Sequence, residues 1–204
     1  MTRTFVYCGA LVAFVAATAL TLAAILLPNW ASYSAAPDIT YTYGLHEACS
    51  SIHLTDAPAT GPPKIRCRPF PEPADCHGED RYFCSLWRST GFLMSLAAVL
   101  ELVVLVAFVV ILAGGKEKRQ RGWKLMTGSL LAVGATQCFA MSIVAYLFDN
   151  DDRFIPGWKL DESWILCTVS WSITVLAAAF VAISAFAFPT EDGYELIPSE
   201  RQYG

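Results

Sequence analysis

The residues best equipped for chemistry in this chain are its seven cysteines, its three histidines and a glutamate set deep in an apolar run. Four cysteines, Cys49, Cys67, Cys76 and Cys84, fall in one stretch, 28–89. Cys8, Cys138 and Cys167 fall in or at apolar runs. An even set in one polar stretch fits disulfides made in an oxidising compartment. Four cysteines allow three pairings. Cys49–Cys67 with Cys76–Cys84 is favoured because neighbours close smaller loops, and the sequence leaves the other two open. Each bridge contributes about 2–4 kcal/mol. The competing chemistry is zinc ligation, with His46, His53 and His77 nearby. Neither a C-x-x-C pair nor an H-x₃-H spacing occurs, which disfavours zinc. No nucleophile–base pair or phosphate-cradling glycine loop has motif spacing. The chain reads as non-enzymatic, without cofactor or metal.

These residues need a membrane scaffold to position them. Of 204 residues, 55% are hydrophobic and 16% charged, against about 25% charged in a soluble domain. The mean hydropathy is +0.45. The 14 Lys and Arg against 18 Asp and Glu give −4, so no global basic excess points to nucleic acid. A helix needs about 20 mostly apolar residues to cross a bilayer core. Four stretches qualify, at about 5–27, 90–113, 125–148 and 165–188. Hydrocarbon cannot satisfy open backbone groups, so each is expected to be a helix. Pro28 and Pro189 stand just past the first and fourth spans, where a helix stops cheaply. The first span exceeds the 7–15 apolar residues of a signal core and continues past Ala17-Thr18-Ala19, so it reads as retained.

Glu101 lies near the middle of the second span and Gln137 near the middle of the third. A central charged side chain costs about 2.5–3.5 kcal/mol on insertion scales, which drives it to the bundle interior or to protonation. Antiparallel spans bring the two residues to similar depth. A Glu101–Gln137 hydrogen bond locking the second and third spans is the expected polar clamp. A proton or ion path is the lesser reading, because no second deep acid or base lines a route. Ala13, Ala17, Ala19 and Ala23 in the first span, and Ala178, Ala182 and Ala185 in the fourth, have spacings that let helices approach closely. Cys8 is expected to be buried rather than palmitoylated.

Loop charges set orientation. The segment 114–124 holds Lys116, Lys118, Arg119, Arg121 and Lys124, five basic residues in eleven. The segment 149–163 holds two basic residues against five acids, and 28–89 holds five against seven. The dense basic loop therefore belongs in the cytoplasm with both termini, and the other two loops outside. The basic cluster also suits anionic lipid, at about 1 kcal/mol per residue. In the first exterior loop, Ile39-Thr40-Tyr41-Thr42-Tyr43 is β-branched and aromatic and reads as a strand ending at Gly44. The segment 57–63 reads as a turn, and 64–67 as a returning strand. The expected product is a small disulfide-pinned antiparallel sheet on a mainly α, four-helix transmembrane bundle forming a single domain, 1–204. Trp30 suits either the membrane interface or the packing of sheet on helices. In the tail, 189–204, Tyr194-Glu195-Leu196-Ile197 fits a tyrosine-based sorting signal through Tyr194 and Ile197.

Trp30, then Gly44-Leu45, then Cys49 and Cys67 resemble the W…G-L-W…C…C signature of the claudin and peripheral-myelin-protein superfamily. Arg88 is similar to that family's arginine just before the second span. Gly157-Trp158 through Trp171 resembles the fungal tetraspan relatives, which sit in plasma-membrane domains under the cell wall. The likeness covers nearly the whole chain. Departures are His46 at the third motif position, the extra pair Cys76 and Cys84, and an Arg201-Gln202-Tyr203-Gly204 ending without the Tyr-Val by which many claudins bind scaffolds. The resemblance implies a left-handed bundle with an exterior sheet, at the plasma membrane. It implies a structural organiser of membrane domains or cell-wall contacts. Its partners would be membrane lipids, other membrane proteins or copies of itself, and an exterior or cell-wall partner. The alternative it carries is a pore-forming protein or a channel's auxiliary subunit. The five acids of 149–163 would attract cations in that case, although a solvated loop is the simpler account.

Overall fold

The computed structural model describes residues 2–36, 39–52 and 64–187. The turn expected at 57–63, His53, Pro189, and Tyr194 and Ile197 of the tail lie outside the described residues. Four helices, α1 (Thr2–Leu26), α2 (Arg81–Ala113), α3 (Gly115–Asn150) and α4 (Glu162–Ala187), are long and apolar enough to cross a membrane. The chain is thus built as a multi-pass membrane protein. Helix α1 packs on α2 and α4, and α3 packs on the same two, so the four close into a ring.

Two boundaries differ from the sequence reading. Helix α2 begins at Arg81, nine residues before the apolar run. Helix α3 begins at Gly115, so 114–124 is not a loop: the chain turns at Gly114 and is helical again at once. Hydropathy marks where a helix meets lipid, and each helix continues past that point for its own reason. In α3 the added turns are rich in Lys, Arg, Gln and Glu, good helix formers that extend it into water. In α2 they carry Phe83, Cys84 and Trp87, which are buried against the sheet. Of the five basic residues, the side chains of Lys118 and Lys124 are described, and both are exposed. Lys116, Arg119 and Arg121 share the same helical turns.

Five strands make one antiparallel sheet at the other end of the ring: β1 (Ala31–Ala36), β2 (Ile39–Tyr43), β3 (Glu47–Ile52), β4 (Lys64–Pro69) and β5 (Trp158–Leu160). Their order is β4-β3-β2-β1-β5. Strands β2 and β4 stand where the sequence placed them. The connection 149–163 is not only a solvated loop, because β5 pairs with β1, with Tyr33 opposite Trp158 and Ala31 opposite Leu160. Both connections at this end therefore share one sheet. Gly157 turns the chain into β5 with φ +112, and a side chain there would meet the Tyr33 ring at 2.9 Å.

An aromatic stack seats the sheet on the helices. Tyr43 lies flat between Phe70 (4.7 Å) and Trp158 (4.8 Å), and Phe83 stacks on Trp87 at 5.3 Å. Phe70 meets Trp87 edge-on at 5.8 Å. Stacked and edge-to-face pairs each add about 0.5–1.5 kcal/mol beyond buried area. Below this seam the core divides into two apolar layers. The layer near the sheet holds Ala24, Met94, Ala140, Val144 and Cys167. The far layer holds Phe14, Phe108, Leu130, Val133 and Val181.

Candidate functional site: a polar layer and the sheet seam

Between the two apolar layers each helix contributes one polar residue: Thr21 from α1, Glu101 from α2, Gln137 from α3 and Ser170 from α4. All four are fully buried. Gln137 Nε2 donates to Glu101 Oε1 at 2.8 Å and to Thr21 Oγ1 at 2.7 Å. Thr21 donates to Glu101 Oε1 at 2.8 Å. The Ser170 hydroxyl lies 2.7 Å from Thr21 Oγ1 and donates to the Ala17 carbonyl at 2.8 Å. The expected Glu101–Gln137 bond is present, but the lock spans four helices rather than two. Thr21 and Ser170 escaped the sequence reading because Ser and Thr in a span usually bond back to their own helix, as Thr18 and Thr174 do here and as Thr21 also does, to the Ala17 carbonyl at 3.2 Å.

The hydrogens of the layer can be counted. Gln137 supplies two, Thr21 one and Ser170 one, and each has a partner. Two acceptors, Glu101 Oε2 and Gln137 Oε1, are buried and have no donor. The layer has more acceptors than hydrogens. Among the described residues it sits between apolar side chains on both sides, which suits a clamp between helices.

The small residues divide. Ala17 and Ala178 are fully buried and Ala13 and Ala182 half-buried, whereas Ala19 is exposed and takes no part in close packing. Cys8 is exposed, not buried. Its place two turns from the end of α1 sets it on an outer face that the apolar character of the residue did not reveal.

At the sheet, Cys49 and Cys67 stand directly opposite on β3 and β4 and are bridged. Cys76 and Cys84 are bridged, tying the segment after β4 to the first turn of α2. Both pairings are the ones favoured by loop length. Glu47, Cys49 and Cys67 lie close together, but the two sulfurs are consumed by the disulfide and offer no thiolate to zinc. The other motif residues gather in the seam. Trp30 is fully buried, and its Nε1 donates to the Ala24 carbonyl at 2.7 Å, so it packs the sheet onto the bundle rather than anchoring at the lipid surface. Gly44 accepts from Trp87 Nε1 at 3.1 Å, and Leu45 is buried beside it. Arg88 is exposed and donates to the Pro71 carbonyl at 3.3 Å.

Arg153 is a seam residue that sequence analysis only counted. It pairs with Asp80 at 2.6 Å, donates to the Asp75 carbonyl at 3.2 Å, and its guanidinium lies 4.1 Å over the Phe83 ring. One side chain from the second connection thus staples the segment leading into α2. Nearby, Arg68 grips Asp75 with two bonds of 2.6 and 3.0 Å. That fork holds the Asp75 carboxyl below the usual carboxylate range. Burial pushes the Tyr43 phenol above its ordinary value. Arg153→Ala is expected to cost about 1–2 kcal/mol, combining a cation–π contact with a charge-assisted bond. Arg153→Lys recovers only part, because an ammonium lacks the planar fork. Thermal unfolding in mild detergent measures both, and a lysine variant as stable as wild type would contradict the account.

At the opposite end, Trp123 of α3 meets Phe186 of α4 edge-on at 5.2 Å, and Lys124 Nζ lies 5.7 Å from the Trp123 ring. The basic turns and the sheet therefore occupy opposite ends of the bundle. No protein-family model matches the chain, and no curated protein matches it in sequence.

Proposed function

We propose that this chain is a claudin-like protein of the plasma membrane, fungal in type, that acts without catalysis. In this reading it organises membrane domains or cell-surface and cell-wall contacts. The sheet faces outward, and both termini and the basic turns at 114–124 face the cytoplasm, where Lys116, Lys118, Arg119, Arg121 and Lys124 meet anionic lipid. Tyr194 and Ile197 then lie on the cytoplasmic side as a sorting signal. Partners are lipids, other membrane proteins or further copies, and an exterior partner at the sheet.

The observation that carries the reading is the construction of the sheet. Strands from both connections join in one five-stranded layer. A disulfide pins two of its strands and a second ties its trailing segment to α2. Trp30 and Gly44 bond it to the bundle. Such a platform suits binding in trans, while the apolar outer faces of the helices suit lateral association. The internal polar layer lies between apolar layers, which favours the organiser over a pore.

The test uses the full chain in its native membrane. An impermeant thiol label applied after reduction should reach Cys49 and Cys67 from outside, while antibody to the tail requires permeabilised cells. Fluorescently tagged protein should cluster, and mild detergent should release assemblies larger than one chain. Dispersed fluorescence together with a new conductance would replace the organiser by the pore reading. Sheet and basic turns labelled from one side would overturn the topology itself.

A further inference from the structure

A groove of about 610 Å³ opens on the outer side of α2 at the sheet end. Its walls carry Arg81, Ser85, Arg88 and Ser89, the Cys76–Cys84 bridge forms part of its lining, and Phe92 closes its lower end. The arginines recur at an interval of seven along one helix face, two turns apart. We propose that this groove binds the phosphate of a membrane phospholipid, with an acyl chain descending over Phe92.

Three observations carry this. The first is charge. Among the described side chains near the groove, three carboxylates already have partners: Asp75 and Glu72 are held by Arg68, and Asp80 by Arg153. Among the described residues, Arg81 and Arg88 have no carboxylate partner. Arg88 Nη2 donates to the Pro71 carbonyl and toward the Cys76 sulfur, which fixes the side chain and leaves three of its five donors open. A planar guanidinium matches a phosphate group better than an ammonium does. The second is depth. Helix α2 has 33 residues, about 50 Å at ~1.5 Å per residue. A hydrocarbon core is only about 30 Å thick. Below Phe92 the lipid-facing residues of the span are uncharged and almost all apolar, with Glu101 turned into the bundle, so Arg88 stands one turn above the hydrocarbon edge and Arg81 about 10 Å farther out. That interval is the headgroup layer. The third is the change in surface along the groove. Ser85, between the two cations, and Ser89, just below Arg88, are exposed hydroxyl residues, and Phe92 below them is 68% exposed. A cationic upper part over an aromatic lower part matches a lipid's phosphate over its chain, and does not match a free anion.

The inference needs the bundle to lie in a bilayer. It does not need the organiser reading, so dispersed fluorescence in cells would leave it standing. The experiment is native mass spectrometry of the full chain, delipidated in mild detergent and titrated with dioleoyl phosphatidylglycerol. Dioleoylglycerol supplies the chains without phosphate, and inorganic phosphate the anion without chains. Wild type should bind phosphatidylglycerol at least tenfold more tightly than either. Arg81→Gln with Arg88→Gln should lose at least tenfold in that affinity, and each single variant about threefold. Arg66→Gln with Lys159→Gln removes two charges from the sheet end outside the groove and should change binding less than twofold. Retention of both native disulfides and a monodisperse profile show that the variants are folded. Equal binding of dioleoylglycerol, equal binding of inorganic phosphate, or equal losses in the two double variants would each overturn the site.

Discussion

Replacing Glu101 by alanine is expected to destabilise the bundle by about 2–3 kcal/mol, whereas glutamine at the same position leaves stability unchanged or raises it. The reasoning follows the hydrogens. Glu101 Oε1 accepts from both Gln137 and Thr21. Alanine strands those two donors in an apolar interior and opens a cavity. Interhelical hydrogen bonds in membranes average about 0.6 kcal/mol and reach about 1.7, so the lost bonds and the cavity together reach the stated range. Glutamine keeps an acceptor oxygen and brings a new N–H₂ to the place of Oε2. It brings hydrogens to a layer that holds two buried acceptors without donors, Gln137 Oε1 and the atom it replaces. Replacing both Glu101 and Gln137 by leucine removes the polar pair together, and should cost less than the two single leucine variants summed. Unfolding of the detergent-solubilised chain, by heat or by titrated denaturing detergent, measures all of these. Glutamine as damaging as alanine would show that the layer works by charge rather than by hydrogen bonding. In that event, altered conductance with unaltered assembly would favour the transport reading.

How much was legible in the sequence depends on the range over which each signal acts. A span is written in some twenty consecutive residues, so all four helices could be read, and only the turns that carry α2 and α3 beyond the hydrocarbon were missed. A disulfide between near neighbours follows from loop length, and Cys49–Cys67 and Cys76–Cys84 are paired accordingly. Strand β2 carries its own β-branched and aromatic signal. Strands β1 (Ala-Ser-Tyr-Ser-Ala-Ala) and β3 (Glu-Ala-Cys-Ser-Ser-Ile) do not. They are strands because β2 lies between them and offers partners on both sides. Strand β5 has three residues, too few for any periodicity, and it exists because Trp158 stacks on Tyr33 and Tyr43. The polar layer shows the same division. One acid in an apolar run is conspicuous, and antiparallel helices bring Gln137 to its depth. Thr21 and Ser170 are two hydroxyls among many, and only the packing of α1 against α4 selects them. Arg153 resembles any loop cation until folding brings Asp80 and the Phe83 ring to it.

Gly44→Ala should be the most damaging single substitution in the seam, with a loss of about 3 kcal/mol or more and a marked fall in recovered folded protein. Gly44 sits at the turn from β2 into β3, where the backbone passes against the end of α1. A Cβ built there meets Pro28 Cα at 2.5 Å, Glu47 O at 3.0 Å and Pro28 Cβ at 3.1 Å. The two nearest atoms are backbone, so no side-chain rotation relieves the contact. Overpacking a core typically costs about 1–3 kcal/mol when side chains can yield, and here the strand or the helix end must move instead. Movement has three further consequences. Gly44 N donates to Glu47 O at 2.8 Å, closing the turn. The Gly44 carbonyl accepts from Trp87 Nε1. Trp30 N donates to the carbonyl of Tyr43, the preceding residue, at 2.9 Å. A shift of this one turn therefore loosens β1, β2 and the aromatic stack together. Gly91, on α2 in the same seam, is the internal control. Its added Cβ meets His46 Cε1 at 3.4 Å, the end of a flexible side chain, and the Leu45 carbonyl oxygen at an ordinary 3.9 Å. Gly91→Ala should cost less than about 1 kcal/mol, and its better helix propensity offsets part of that. Thermal unfolding compares the pair, and the fraction of chains holding the Cys49–Cys67 bridge reports whether the sheet has formed. Equal tolerance of alanine at both glycines would mean that the sheet is not fixed to the bundle through Gly44, and the platform on which the organiser reading rests would lose its mount.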